Sequence, residues 1–516
     1  MRMTNKIMQN NSLYNINNNK VLQNKLSTQM STQKKITRPS DDPVIAIRAL
    51  RLRSDVSQIT QYYGKNVPDA ESWLKVTADA LNTTTDVIDD MLQQCNKGSN
   101  KDLGVENLDI IVTQLKSLKD EFYATGNVDY AGRYIFTGYR TDTTLTYTEN
   151  TTQDFKITEQ INVSAIDMIS YTSIGALKGI SSVNYDPTDT GTVAISDTTI
   201  KNSDIHRIRL SYDDLKDGAV PNVKKVDSTT TPPTETDLFA TAIKTMSASA
   251  APSPYANPYE YVLDNPDEVV LIPETGELLI GENAYASISA VSTSTEIRVT
   301  YEKNKWEEGD LRPQHYFACT DQTTGVQYNE GYLTGEGALQ IIQYDVGYNQ
   351  KIRINTTADE VFTLDVDRNI DDLQNALAAL KEIGQSKTNL DNMLKGMKEG
   401  ETGYDKLKTT AEAADKAYTY IRENMQKMFE GLLTKLNGTL DNTSVAITDN
   451  GTRGSRLDLI SNRLMNQKTT FQTLQSSNED ADITEVTIQL TSMNYSYQSA
   501  LLATSKIMQN SLMNYI

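Results

Sequence analysis

Ten of the 13 prolines in this chain of 516 residues fall between Pro187 and Pro313, and none follows Pro313. After Gly454 there is neither glycine nor proline for the remaining 62 residues. Proline breaks a helix interior and glycine weakens it, so this spacing sets the architecture before any other property is considered. A continuous helix over that last run would extend about 90 Å at 1.5 Å per residue, more than one compact domain needs. The distribution predicts a chain that is mainly α at both ends, with a β-rich or α+β region inserted between them.

Apolar spacing supports the helical ends. Ile45, Ala49, Leu52, Val56, Ile59 and Tyr63 alternate steps of four and three, the rhythm of a heptad seam, and Trp73, Ala80, Val87 and Met91 continue it. Leu108, Ile111, Leu115, Leu118 and Phe122 predict a shorter helix. Beyond the middle region, Leu407 to Leu432, Leu457 to Leu474 and Ile483 to Ile507 keep the same rhythm. Polar Gln467 and Thr504 stand in two seam slots. Asp42 before Pro43 has the form of an N-cap with proline at the first helical position. Thr402 with Asp405, and Asp482 with Glu485, have capping-box spacing. Pro68, inside the first long run, is expected to end or kink the helix.

The first 24 residues hold eight asparagines. Asparagine is a poor helix former, so this end is expected to be disordered alone and helical only against a partner. The natural partner is the other terminus. Leu22 and Leu26 are expected to pack on a stripe of Val486, Leu490, Met493, Tyr497 and Leu501. From about 141 to 356 short alternating runs take over, such as Thr295–Tyr301 and Lys351–Asn355. Val269–Ile272 and Leu278–Ile280 flank Pro273–Glu277 as a hairpin, and Asp227–Asn257 reads as loop.

A search for chemistry finds little. The formal charge of −19 argues against binding nucleic acid or an anionic membrane surface. No apolar h-region follows Met1-Arg2-Met3, so a cleaved signal is not expected, and no run is apolar enough to insert in a membrane. Cys95 and Cys319, with His206 and His315, are too few and too scattered for a disulfide framework, a zinc cage or a catalytic triad. Asp365, Asp367, Asn369 and Asp371 mimic the opening of a calcium loop, but Ile370 replaces its glycine and Ala376 its closing glutamate. Gly335-Glu336-Gly337 lacks the third glycine of a dinucleotide fingerprint and reads as a turn. No catalytic residue, metal site or cofactor is expected, and the protein is not read as an enzyme.

Three separated segments carry a resemblance. Met30-Ser31-Thr32-Gln33-Lys34-Lys35-Ile36-Thr37-Arg38-Pro39-Ser40-Asp41-Asp42-Pro43 closely resembles the N-terminal signature of the bacterial flagellar hook-associated protein 3 family, junction subunits related to flagellin. Gly132 to Thr143 is similar to that family's glycine-aromatic strand, and Arg456 to Ile516, with Ser511-Leu512, to its closing helices. Gln33 stands where the family often has glycine, Pro68 interrupts a helix expected to run on, and the middle region is larger than in short members. Flagellin is the rival resemblance, though its motif reads more like asparagine-serine-alanine than Arg38-Pro39-Ser40-Asp41-Asp42-Pro43.

The resemblance implies a flagellin-like arrangement. Residues 1–43 with 478–516 would form a terminal inner-tube domain, 44–140 with 357–477 a helical bundle, and 141–356 an inserted outer domain. It implies a structural adaptor between hook and filament, exported by the flagellar type III apparatus and located outside the cell. Its implied partners are further copies in a ring, another hook-associated protein below, flagellin above and an export chaperone. The alternatives are a flagellin, or a flagellar surface protein whose insertion is adhesive or enzymatic.

Overall fold

The structure, a computed structural model, describes residues 5–227, 234–289, 295–334 and 340–509. The N-terminal part is helical, with α1 (Asn5–Thr32), α2 (Pro43–Gln61), α3 (Val67–Gly98) and α4 (Val105–Ala124). The middle opens with β1 (Asp129–Tyr130), β2 (Arg133–Tyr134), β3 (Phe155–Asn162), β4 (Asp167–Thr172) and β5 (Asn202–Arg209). It continues through β6 (Asn222–Asp227), β7 (Thr234–Asp237), β8 (Lys244–Thr245), α5 (Pro258–Asp264), β9 (Val269–Ile272), β10 (Glu277–Ile280), α6 (Glu282–Ser289) and β11 (Glu296–Lys303). It closes with β12 (Ala318–Asp321), β13 (Gln327–Tyr328), α7 (Gly331–Thr334), β14 (Gln343–Gly347) and β15 (Gln350–Arg353). Three long helices finish the chain: α8 (Asp365–Lys395), α9 (Tyr404–Glu479) and α10 (Ile483–Gln509). The chain is therefore mainly α at both ends with a β-rich middle, as its proline distribution predicts.

The chain divides into two compact units. One comprises Met1–Glu71, Tyr344–Ile352 and Gly454–Ile516; the other comprises Ser72–Gln343 and Arg353–Arg453. In the larger unit, α3, α4, α8 and the first part of α9 form an antiparallel bundle. Gly98 lies against Phe429 while Asn450 donates to the Leu74 carbonyl (2.8 Å), which fixes α3 against α9. Lys119 with Asp367 (2.7 Å) and Lys381 with Asp109 (2.7 Å) do the same for α4 and α8. Of the residues at helical spacing, Trp73, Ala80, Val87, Met91, Leu115, Phe122, Leu407, Met425 and Leu432 are buried.

Besides the β1–β2 pair, the β region of this unit is two sheets. Their strand orders are β4-β5-β10-β9-β8 and β13-β12-β3-β11-β6-β7. One core, with Phe155, Ile157, Leu271, Leu278, Ile297, Val299 and Trp306, draws residues from both sheets. A second, with Val270, Ile272 and Leu279, lies under Tyr261 and Val262 of α5. Strands β9 and β10 thus bury both faces, which explains why they read as unbroken apolar runs, whereas β11 alternates strictly in burial. The segment expected to be loop, Asp227–Asn257, contains β7 and β8; its residues 228–233 lie outside the described ones.

Two helix boundaries differ from expectation. Pro68 does not end the helix. A π turn over Tyr62–Asn66 joins α2 to α3, with the Val67 N–H reaching back five residues to the Tyr62 carbonyl. Proline offers no N–H to the carbonyl four residues earlier and crowds it, and the wider turn just upstream lets the chain continue helical. Helix α9 starts at Tyr404 instead of Thr402, because Gly403 takes a left-handed φ of 92° with its α-carbon close against the Pro187 carbonyl.

Candidate assembly surface

The smaller unit contains the terminal helices and the sequence motif. Helices α1 and α10 run antiparallel. Gln23 Nε2 donates to Asn494 Oδ1 partway along them, and Lys34 bridges Asp480 where they meet. There the link after α1 and the link before α10 pair through two backbone hydrogen bonds, Lys35 N to Glu479 O (2.7 Å) and Ala481 N to Gln33 O (2.9 Å). Arg53 of α2 grips the buried Glu479 carboxylate through two nitrogens at 2.7 and 2.6 Å, and Lys34 adds a second cation at 3.6 Å. The hydrogen bonds from Arg53 hold the Glu479 carboxyl below its usual range.

The motif residues do structural work at this corner. Asp41 accepts from the backbone N–H groups of Arg38 (2.9 Å) and Thr37 (3.1 Å), closing the turn and lowering its own pKa. Asp42 caps α2 by accepting from Val44 and Ile45, and Pro43 occupies the first turn. Asp482 caps α10 in the same way, through Thr484 and Glu485. Arg38, Pro39 and Ser40 are exposed.

The expected packing residues divide by exposure. Leu26 is 4% exposed and Val486 7%, while Leu490, Met493 and Tyr497 are half-buried. Leu22 and Leu501 remain more than two-fifths exposed. The inner face of α1 is formed by Met8, Ser12, Ile16, Asn19, Gln23 and Leu26, at steps of four and three but half of them polar. Thr504 is buried on α10, whereas the apolar residues on either side of the seam are not. Ile7, Leu13, Tyr14, Val21 and Met30 of α1, and Ile488, Tyr495 and Leu502 of α10, stand exposed, with Val44, Ile47 and Leu50 of α2. On α10 the face that meets α1 carries Val486, Leu490, Met493, Tyr497 and Ala500 and is the more apolar one, while on α1 the exposed apolar residues stand among Asn10, Asn11, Asn15, Asn17, Asn18 and Asn24. Large apolar side chains exposed on three helices make the terminal helices the candidate interaction face.

The other candidates have ordinary roles. The aspartates of the calcium-loop mimic lie in the first turns of α8, where a helix cannot wrap a cation. They pair with Lys119, Lys435, Arg209 and Arg368 instead. His206 stacks on Tyr285 at 3.5 Å, and His315 is buried with Nε2 3.2 Å from the Thr144 carbonyl. Cys95 and Cys319 are buried thiols pushed up to about 12 by burial, the wrong direction for a nucleophile. Gly335-Glu336-Gly337 and Ser511-Leu512 lie outside the described residues. Among the described residues no group of three His, Cys, Asp or Glu side chains could hold a metal ion, and no helix is long and apolar enough to cross a membrane.

Comparison with known proteins gives the surface its context. Residues 3–141 match the bacterial flagellin N-terminal helical region. The chain is similar to flagellar hook-associated protein 3 of Salmonella typhimurium, 30% identical over 143 residues. It is similar to the protein of the same name from Escherichia coli, 30% identical over 144 residues. Each match covers 28% of this chain and 45% of the relative, so the chain spans under half the length of the curated relatives it matches. The solved flagellar junction protein FlgL from Legionella pneumophila aligns over 85% of this chain and 100% of its own, at 11% identity and a TM-score of 0.29, too low to carry an argument.

Proposed function

We propose that this protein is a structural subunit of the bacterial flagellum, the adaptor that joins hook to filament. The observation that carries the reading is the set of large apolar side chains left exposed on α1 and α10, on a chain whose residues 3–141 match a flagellin N-terminal helical region. Both curated relatives are named for hook-associated protein 3, which favours the junction reading over a filament subunit.

In this reading the protein is exported through the flagellar type III apparatus and assembles outside the cell. Copies close into a ring, with another hook-associated protein on the hook side and flagellin on the filament side, after release from an export chaperone. The terminal helices (1–43 with 478–516) form the inner tube, the helices of 44–140 with 357–477 surround it, and residues 141–356 face outward. Burying an exposed Leu or Val against a neighbour stabilises by about 1.5–3 kcal/mol. The exposed apolar residues of α1, α2 and α10 leave part of that gain to assembly, which suits a chain that must travel unfolded and polymerise afterwards. The chain acts mechanically and has no catalytic role.

The test is deletion of the gene. Cells lacking this protein should build hooks of normal length while flagellin is shed unassembled into the medium, and the intact gene should restore filaments. Normal filaments in the deletion strain would overturn the reading, as would loss of the hooks themselves.

A further inference from the structure

A cleft of about 490 Å³ opens in the larger unit between the sheet edge at β4 and the helices α8 and α9. Its size lies in the range of small-molecule sites. The rings of Tyr171 and Tyr259 stack beside it, nearly parallel at 7° with centroids 5.1 Å apart. Both rings are pinned by their hydroxyls: Asn257 Nδ2 donates to Tyr171 (2.5 Å), and Tyr259 donates to Glu277 (2.6 Å). The facing helix α8 presents Ala376 and Ala379, and their small side chains leave the space open. Deeper in, Asn424 of α9 is buried and donates to Asn202 (2.8 Å) and Thr172 (3.1 Å), so the back wall is rigid.

The carboxylates around the cleft outnumber its cations. Glu277 and Asp372 are both held by the buried Arg207 guanidinium, which also binds Asp167. At the mouth Lys178 pairs with Glu382 at 3.4 Å. Each of these carboxylates already has a cationic partner and their surplus repels anions, so the ligand is neutral. An aromatic pair beside methyl groups suits the apolar C–H face of a ring, and the exposed Ser249 and Asn375 at the rim offer hydrogen-bonding groups to hydroxyls. We infer that this cleft binds a neutral saccharide of one or two sugar rings. The inference is independent of the junction reading and concerns the β region and its helical wall alone.

The experiment is saturation-transfer NMR on the full chain with cellobiose and N,N′-diacetylchitobiose as probes, and indole as the competing aromatic probe. At least one disaccharide should receive saturation. Tyr171→Ala should weaken its binding at least about tenfold, a change of about 1.4 kcal/mol. Ala376→Leu should fill the cleft and abolish transfer. Because Ala376→Leu could disturb packing, Ala378→Trp supplies the second test: Ala378 is exposed at the mouth, so a tryptophan there blocks entry without entering the core. Thermal unfolding of each variant reports on the fold. The inference is overturned if neither disaccharide receives saturation, if only indole does, or if transfer survives in both Ala378→Trp and Tyr171→Ala.

Discussion

Gln33 holds a φ of 58° immediately after α1, in the left-handed region where an L side chain is strained and glycine is not. Its carbonyl still accepts from Ala481, so the conformation is fixed by the corner that joins the two terminal helices. Gln33→Gly should therefore raise the thermal midpoint, with a gain of about 1 kcal/mol, and Gln33→Val should lower it further than the parent. A midpoint unchanged in both variants would mean that the corner relaxes without cost. His315 gives the second prediction at this scale. Burial lowers its pKa from 6.5 to about 4. The folded state therefore binds its proton less readily than the unfolded chain. Its stabilising contribution is complete above pH 6.5 and disappears as pH falls toward 4, a loss of up to about 3 kcal/mol. Asp310 works against it, since burial raises its carboxyl to about 6 and acid then favours the fold. The measurement is accordingly a difference: thermal unfolding of the parent and of His315→Gln between pH 7 and pH 4.5. The variant should lose less stability on acidification; parallel curves would show that His315 binds its proton equally well in both states.

At the scale of elements, α9 is one helix of 76 residues that runs through Gly431, Gly438, Gly451 and Gly454. A methyl group at Gly438 would meet nothing within 4 Å, so Gly438→Ala removes backbone entropy from the unfolded chain without a clash and should stabilise by about 0.5–1 kcal/mol. Gly98 is the contrast: a Cβ there would lie 2.4 Å from the Phe429 ring, and Gly98→Ala should destabilise. Thermal unfolding of the pair separates propensity from packing. The helices and their heptads were legible because local periodicity survives tertiary folding, and the capping signals at Asp42 and Asp482 were legible because caps are local hydrogen bonds. Of the strand pairings, only the local β9–β10 hairpin was legible. Register in both sheets rests on partners far apart in sequence, such as Phe155 with Lys303, and β9 and β10 lack alternation because both faces are buried. The Arg207 cluster was equally hidden, since Asp167, Glu277 and Asp372 come from three distant elements.

At the scale of the molecule, terminal-helix assembly and the β region can be separated experimentally. Val21 is 71% exposed and Leu502 67%, so Val21→Asp and Leu502→Asp should leave monomer stability within about 0.5 kcal/mol while blocking incorporation at the junction. Leu26→Asp buries a charge in the seam and should do both kinds of damage, loosening α1 from α10 as well as stopping assembly. Normal filament formation by all three variants would remove the terminal helices from the assembly mechanism. The β region makes a complementary case. Its chain enters and leaves at neighbouring points, because Gln340 Oε1 accepts from the Tyr139 N–H (2.9 Å) and Ala358 N–H donates to the Phe136 carbonyl (2.9 Å). Replacing residues 142–339 by a short Gly/Ser linker should therefore leave the bundle of α3, α4, α8 and α9 able to fold. The bundle will be less stable than in the intact chain. Tyr185 covers Thr410 through a 2.8 Å hydrogen bond, and Asn424 loses Asn202 and Thr172, so groups now buried become wet. Acids at the start of α8 are the exception: freed from Arg207 and Arg209, Asp365 and Asp372 still favour the helix N-terminus electrostatically. Circular dichroism should show a higher helical fraction and one cooperative transition at lower temperature. A chain with no cooperative transition would mean that the sheets are part of the bundle's core.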